Sequence, residues 1–387
     1  MKTLKFIFAV TIFLLCSLYA NAYDFAINGM YYNILSGTDS VEVTSSNDYT
    51  NRYTGDIIIP STVSYEGKVY QVVAIGYAAF QSAGLNSISI PNSVKYIGGN
   101  AFNLSEIVSV KLPNSVTYIG DYAFTGKMFT TFIVDDNNPN YATENGILYD
   151  KNKTSLLIYP MGKNDSSFVV PNSVESIGRY AFEECISLIS VTLPKSLISI
   201  GYASFEGSGL TTVTIPASVK TISSWAFTKC PNLKKIIFEG EIKTIGSYVF
   251  ADWGYVPRAY DLEVKCNPFP ISSSFSSDFD LEKSTLTVPE GTKTLFESTP
   301  VWQDFKVIIE NTSTAIPAIQ PEITIFVSSN TLYLNSPVSE TISIYSITGN
   351  LLYSTIKSAG EKQITLENIH NNMGIIKGSS GWVRKIR

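Results

Sequence analysis

Histidine is almost missing from this chain: His370, near the end of 387 residues, is the only one. A Ser-His-Asp or Cys-His site in the rest of the chain therefore lacks its general base, and a zinc site with several His ligands cannot be assembled. Charged residues are scarce at 16%, and no basic run occurs in either half. The formal charge is −5, and it becomes more negative once Lys2 and Lys5 leave with the leader described below. Nucleic acid and anionic lipid are thus poor partners for this chain. Cysteine is limited to Cys16, Cys185, Cys230 and Cys266, so a disulfide scaffold is excluded and stability must come from packing. Beyond residue 22 no apolar run is long enough to span a bilayer, so no membrane span is expected in the mature chain.

What the chain does contain begins with an export signal. Lys2 and Lys5 form a positive n-region, FIFAVTIFLLCSLYA (6–20) an apolar h-region, and Ala20-Asn21-Ala22 a small-x-small cleavage site. Residues 1–22 read as a signal peptide removed after Ala22. Leu15 before Cys16 argues against lipid attachment there.

A repeat dominates the rest. IPNSVKYIGGNAF (90–102) returns as LPNSVTYIGDYAF (112–124), VPNSVESIGRYAF (170–182), LPKSLISIGYASF (193–205), IPASVKTISSWAF (215–227) and, degraded, FEGEIKTIGSYVF (238–250). A first copy, interrupted between its halves, runs from residue 58 to Phe80. The period is 22 or 23 residues except across 124–171. Such spacing signals a solenoid whose coils bury one another's apolar faces. In each coil an alternating stretch such as LTTVTI (210–215) reads as a short strand with one face inward. Pro91, Pro113, Pro171, Pro194 and Pro216 end these strands. A second short segment follows, with Val94 and Ile97 inward in the first full copy. Gly98, Gly120, Gly178, Gly201 and Gly246 suit the bend after it. The closing aromatics Phe80, Phe102, Phe124, Phe182, Phe205, Phe227 and Phe250 are expected to stack as one buried column. Cys185 and Cys230 fall two coils apart, roughly 10 Å at a strand spacing of about 4.8 Å. That exceeds the ~7 Å Cα separation a disulfide tolerates, so both read as buried thiols.

These motifs resemble the BspA-like leucine-rich repeat family of bacterial surface proteins, whose repeat I-P-x-S-V-x-x-I-G-x-x-A-F ends in a Cys-x-x-L turn. FEECISL (182–188) and FTKCPNL (227–233) match that turn. Residues 132–160 look like the insertion typical of the family, and 288–308 like its closing segment. The resemblance implies a β-rich leucine-rich-repeat solenoid over residues 23–310, with an N-terminal cap and an insertion at 127–170. It also implies an exported binding or adhesion surface in a bacterium of the Bacteroidetes type or a relative.

Residues 311–322 (NTSTAIPAIQPE) lack periodicity and read as a linker. Residues 323–387 hold short strands separated by turn residues and read as a small all-β, sandwich-like domain. TISIYSITGNLLYS (341–354) and GIIKGSSGWVRKIR (374–387) resemble C-terminal sorting domains of the type IX secretion system. That resemblance implies the type IX machinery as a partner.

Chemistry is sparse. Asp136-x-Asn138-x-Asn140 opens like a calcium loop, but Tyr141 and Ile147 stand where Gly and Glu are required, so it reads as a solvated turn. His370 follows Glu367-Asn368-Ile369 in a polar turn and reads as exposed. No catalytic residue, metal ligand or cofactor is assigned, and the chain reads as non-enzymatic. Two carboxylates for glycoside hydrolysis could come from anywhere in a sequence, and the insertion at 127–170 is the one place irregular enough for a cleft.

Binding is expected on the coil surface. Three residues after each inward Ile stand Ala78, Asn100, Tyr122, Tyr180, Ala203, Trp225 and Tyr248. The ligand-binding candidates are the large aromatics Tyr122, Tyr180, Trp225 and Tyr248, since such rings favour protein interfaces and sugar faces. They could equally pack beside the Phe column. A second surface is the outward strand row that includes Ser87, Ser89, Ser109, Lys111, Ser190, Thr192, Thr212 and Thr214. The leading expectation is a secreted or outer-surface, adhesin-like protein binding an extracellular protein or glycan. A structural spacer without a dedicated ligand is the alternative, and a carbohydrate-active enzyme the remote one.

Overall fold

The computed structural model describes residues 23–46, 52–252, 257–271 and 278–311, together with strands between 324 and 385. The leader, the linker apart from Asn311, and His370 lie outside the described residues. The chain forms two compact units, with the boundary between Asn311 and Thr312.

The first unit is a β-solenoid. Each coil begins with a strand whose alternation puts every second side chain inside, as in Thr212–Ile215, where Val213 and Ile215 are buried. These strands pair parallel in register, for example Thr212–Ile215 with Lys235–Phe238. The proline then starts a turn: its carbonyl accepts the N–H three residues on, as Pro91 does from Val94 and Pro216 from Val219. A two-residue strand follows, such as Tyr96–Ile97, and these also stack in parallel ladders. Val94 and Ile97 are fully buried. The coil closes on its Phe. Successive rings sit 4.7–5.5 Å apart and nearly parallel within each half of the solenoid, which matches the strand spacing that sets the rise.

The glycines serve a different purpose from the bend expected of them. None of Gly98, Gly120, Gly178, Gly201 and Gly246 has a positive φ. A Cβ on Gly98 would lie 2.7 Å from the backbone of Gly76 and Tyr77, and one on Gly201 2.7 Å from Gly178 and Ile177. Glycine is required there because neighbouring coils touch backbone to backbone.

The Phe column is also broken, not continuous. Phe80, Phe102 and Phe124 stack in one core cluster that reaches from Phe25 to Leu148. Phe182, Phe205, Phe227 and Phe250 stack in a second, from Ile147 to Ile308, with Tyr159 taking the place of a closing Phe beneath Phe182 at 5.1 Å. Phe124 packs instead on Phe129 and Phe132.

The insertion makes this break. Its strand Thr131–Val134 continues one ladder from Ser109–Leu112, and Ser155–Ile158 starts the other against Ser176–Ile177. Between them Tyr141–Glu144 and Ile147–Asp150 form a hairpin. Its turn is Asn145-Gly146, both at positive φ (52° and 77°), the pair that suits a two-residue hairpin turn. Gly146 C=O accepts from Phe132 N–H at 2.9 Å, tying the hairpin tip to the opposite ladder. Ile147, Leu148 and Tyr149 are all buried. Leu148 belongs to the first cluster, while Ile147 and Tyr149 belong to the second. A strand with both faces covered thus separates two half-cores.

Asn138 is not in a solvated turn, contrary to expectation. It is fully buried, donates Nδ2 to the Pro113 and Val116 carbonyls (2.9 and 3.1 Å), and accepts from the Asn140 and Tyr141 N–H groups. Its side chain splices the insertion onto the preceding coil. Among the described residues no group of His, Cys, Asp or Glu side chains is placed to hold a metal ion, and no helix is long and apolar enough to cross a membrane.

The solenoid continues past the last recognisable copy. Asp261–Val264, Thr285–Pro289 and Val307–Asn311 extend the ladder of Lys235–Phe238. Trp302, fully buried, donates Nε1 to the Phe269 carbonyl at 2.9 Å. At the other end Phe25–Ile27, Met30–Ile34 and Ser40–Thr44 form an antiparallel cap that joins Lys68–Ile75. Cys185 and Cys230 are buried and unpaired, and Cys266 is half-buried and unpaired. In the second unit Thr324–Ser328, Thr331–Ser336 and Gly360–Thr365 form one antiparallel sheet. Leu351–Lys357, Glu340–Tyr345, Ile375–Gly378 and Val383–Lys385 form another.

Candidate functional site

The corner of each coil, between the second strand and the closing Phe, carries the candidate residues. Ala78, Asn100, Tyr122, Tyr180, Ala203, Trp225 and Tyr248 share one backbone state there, with φ between 50° and 67°. Left-handed backbone is cheap for Gly and tolerable for Asn, and it costs a bulky residue on the order of 1 kcal/mol. Tyr or Trp at this position is therefore not selected by the turn.

The structure brings the four aromatics together as two pairs. Tyr122 and Tyr180 lie with ring centroids 4.2 Å apart, and Trp225 and Tyr248 at 5.6 Å. Buried Ala203 separates the pairs. All four rings are half-buried. Of the strand row, Ser87, Ser89, Ser109, Lys111, Ser190, Thr192 and Thr212 are exposed, and Thr214 is half-buried.

Tyr122 and Tyr180 meet because the insertion provides no corner of its own between them. Beside their contact lies a cavity of about 250 Å³. The segment from Tyr122 to Thr125 lines one side and Arg179, Tyr180 and Glu183 the other, with Tyr159 and Met161 also contributing. Burial pushes the Tyr122 phenol up, helped by its hydrogen bond with Tyr180 and by Glu183 nearby, so it stays neutral. Arg179 pairs with Asp121 at 3.2 Å and lies over the rings of Tyr180 and Tyr202. Glu183 is raised to about 8, first by desolvation and then by the charges of Glu206 and Glu184, while Lys229 opposes the shift. Its Oε2 is buried with no hydrogen-bond partner. Glu206 is engaged by Lys229 at 2.5 Å.

The cavity thus offers aromatic faces, one cation, a mostly protonated carboxyl and backbone polar groups. It suits binding. Of the residues that line the cavity, the sequence singles out Tyr122 and Tyr180 but not Arg179, Glu183 or Met161. Their signal was the one irregular repeat interval, between Phe124 and Pro171.

A profile of the BspA type leucine-rich repeat region, in six copies, matches residues 42–152 and 161–256, more than half of the chain. The chain belongs to the BspA-type leucine-rich repeat family. Solved structures of similar fold include three bacterial proteins. A leucine-rich repeat protein from Eubacterium ventriosum is 21% identical, with a TM-score of 0.48 over 68% of this chain and 82% of that one. The pneumococcal vaccine antigen PcpA is 18% identical, TM-score 0.35, over 74% and 98%. A leucine-rich repeat protein from Bacteroides ovatus is 21% identical, TM-score 0.32, over 74% and 100%. Comparison with curated proteins gives no match. In this BspA-type chain the insertion interrupts the matched region at residues 153–160, within the segment that leads to Tyr159 and the cavity.

Proposed function

We propose that this BspA-type chain is an exported, non-enzymatic interaction protein, displayed on the outer surface or secreted, whose solenoid binds an extracellular protein or glycan. The observation that supports it is the corner register: half-exposed Tyr122, Tyr180, Trp225 and Tyr248 occupy strained left-handed positions that Gly or Asn would fill at lower cost. The Ala20-Asn21-Ala22 leader supports export, and the C-terminal strands support routing by the type IX machinery. A spacer without a ligand is the second reading, favoured by the ring contacts within each pair, which also stabilise neighbouring coils.

The test uses the mature chain from residue 23, titrated on immobilised mucin, fibronectin, fibrinogen and a glycan panel. A variant with all four aromatics replaced by Ser runs alongside, with circular dichroism as folding control. Saturable binding to one ligand, lost in the folded variant, is the expected result. Self-association of the wild type without binding any of them would instead favour the spacer.

A further inference from the structure

Each regular corner passes three N–H groups to the next coil. Asn100, Phe102 and Leu104 donate to the carbonyls of Asp121, Ala123 and Thr125 at 3.0, 2.7 and 2.7 Å. Tyr180, Phe182 and Glu184 donate likewise to Tyr202, Ser204 and Glu206. The coil of Phe124 breaks this rule. Among the described residues, the N–H groups of Tyr122, Phe124 and Gly126 have no acceptor. Facing them across the insertion, the carbonyls of Arg179 and Glu183 receive no donor, and only Ala181 C=O is used, by Tyr159 N–H at 2.8 Å.

Unsatisfied main-chain groups at a buried residue such as Phe124 are costly, about 1–3 kcal/mol each. The solenoid supplies a partner at its other interrupted corner. There the Asp278 carboxylate accepts from Phe250 N–H at 3.1 Å, standing in for the corner carbonyl of the coil that follows. Nothing equivalent reaches Phe124. The open donors and acceptors flank the 250 Å³ cavity, which has room for a few residues.

We propose that this cavity is a docking site for the main chain of a partner polypeptide, which enters as the missing corner. Its carbonyls, spaced two residues apart, accept from Tyr122 and Phe124, and an N–H of the same segment donates to Arg179. Every other corner satisfies the same donors with a peptide, so a peptide is the occupant their spacing fits. The Tyr122–Tyr180 pair covers the segment, in the manner of strand addition at a sheet edge. This inference rests on the interaction-protein reading and names the class of partner.

The chain's own corner sequence is the probe: a capped peptide of residues 178–182, GRYAF, offered to the mature chain while amide exchange is followed residue by residue. The peptide should slow exchange at Tyr122 and Phe124 by roughly tenfold or more, with little change at the satisfied Phe102 amide. An ester replacing the peptide's N–H that faces Arg179, or Met161→Trp filling the cavity of the folded protein, should abolish that protection. No protection at saturating peptide overturns the proposal, as does protection by neutral or acidic sugars alone. Retained binding to an immobilised ligand by Met161→Trp, with no peptide protection in the wild type, would overturn this site while leaving the interaction-protein reading standing.

Discussion

One added methyl group at Gly201 would meet the carbonyl carbon of Gly178 and the oxygen of Ile177, each at 2.7 Å. Backbone atoms in a stacked ladder cannot yield without shifting a whole coil. Gly201→Ala should therefore destabilise the solenoid by about 1–3 kcal/mol, the usual cost of overpacking, read as a lower midpoint in denaturant unfolding. Glu183 should act in the opposite direction. Its value is raised from the usual carboxylate range to about 8, so between about 4.5 and 8 the folded chain holds a proton that the unfolded chain has released. Stability from this group is then complete below the unfolded value and declines as pH rises toward 8. Glu184 and Glu206 face the same carboxyl and Lys229 opposes them. Glu183→Gln should raise the melting temperature at pH 7.5 more than at pH 5. An unchanged pH profile would show that the native carboxyl is not perturbed. The thiols follow the same logic of burial. Cys185 and Cys230 are buried and held up by desolvation, Cys230 to about 11, so thiol reagents should label Cys266 first in the native mature chain.

At the level of elements, the hairpin Tyr141–Glu144 and Ile147–Asp150 decides most. Period-2 alternation in a strand normally separates core from solvent. Here it separates core from core, because Leu148 faces one cluster and Ile147 and Tyr149 the other. Leu148→Ala should cost about 2–5 kcal/mol, as for other buried leucines. The loss should fall on coils before the insertion, and exchange at the hydrogen-bonded Phe80 and Phe102 amides should rise before exchange at Phe205. What the sequence made legible follows the same division. Strand, proline turn and closing Phe repeat in every coil, so local pattern alone placed Val94, Ile97 and the Phe rings inside. The run Ile147-Leu148-Tyr149 has no repeat partner to interpret it, and its apolar continuity shows burial without showing against what. Glycine spacing was equally visible, but whether Gly98 bends the chain or admits a neighbour depends on φ and on Gly76 and Tyr77 in the coil before it. The cavity was hidden for that reason too. A missing corner is a property of two coils brought together, and the sequence displays each coil separately.

For the solenoid as a whole, contacts run between neighbouring coils, so its stability is a chain of nearest-neighbour terms. Such a chain unfolds as one only if every link is comparable in strength. The link across the insertion is weaker than the rest. The Phe stack stops at Phe124 and three corner N–H groups are left without an acceptor, so the halves are joined by the strand Ile147–Asp150, the hydrogen bonds of Phe132 to Gly146 and of Gly162 to Phe129, and the Tyr122–Tyr180 and Arg179–Asp121 contacts. On one side lies a half-core capped by the antiparallel strands from Phe25. On the other lies a longer one sealed by Asp278 and Trp302. Unfolding should therefore proceed in two steps, with residues 25–134 and 155–308 as separate cooperative units. Native-state exchange under increasing denaturant would show it as two isotherms of different slope and midpoint. A peptide held at Tyr122 and Phe124 would strengthen the same link and draw the two isotherms together. A single shared isotherm in the free chain would mean that the strand Ile147–Asp150 couples the halves as tightly as a regular coil does.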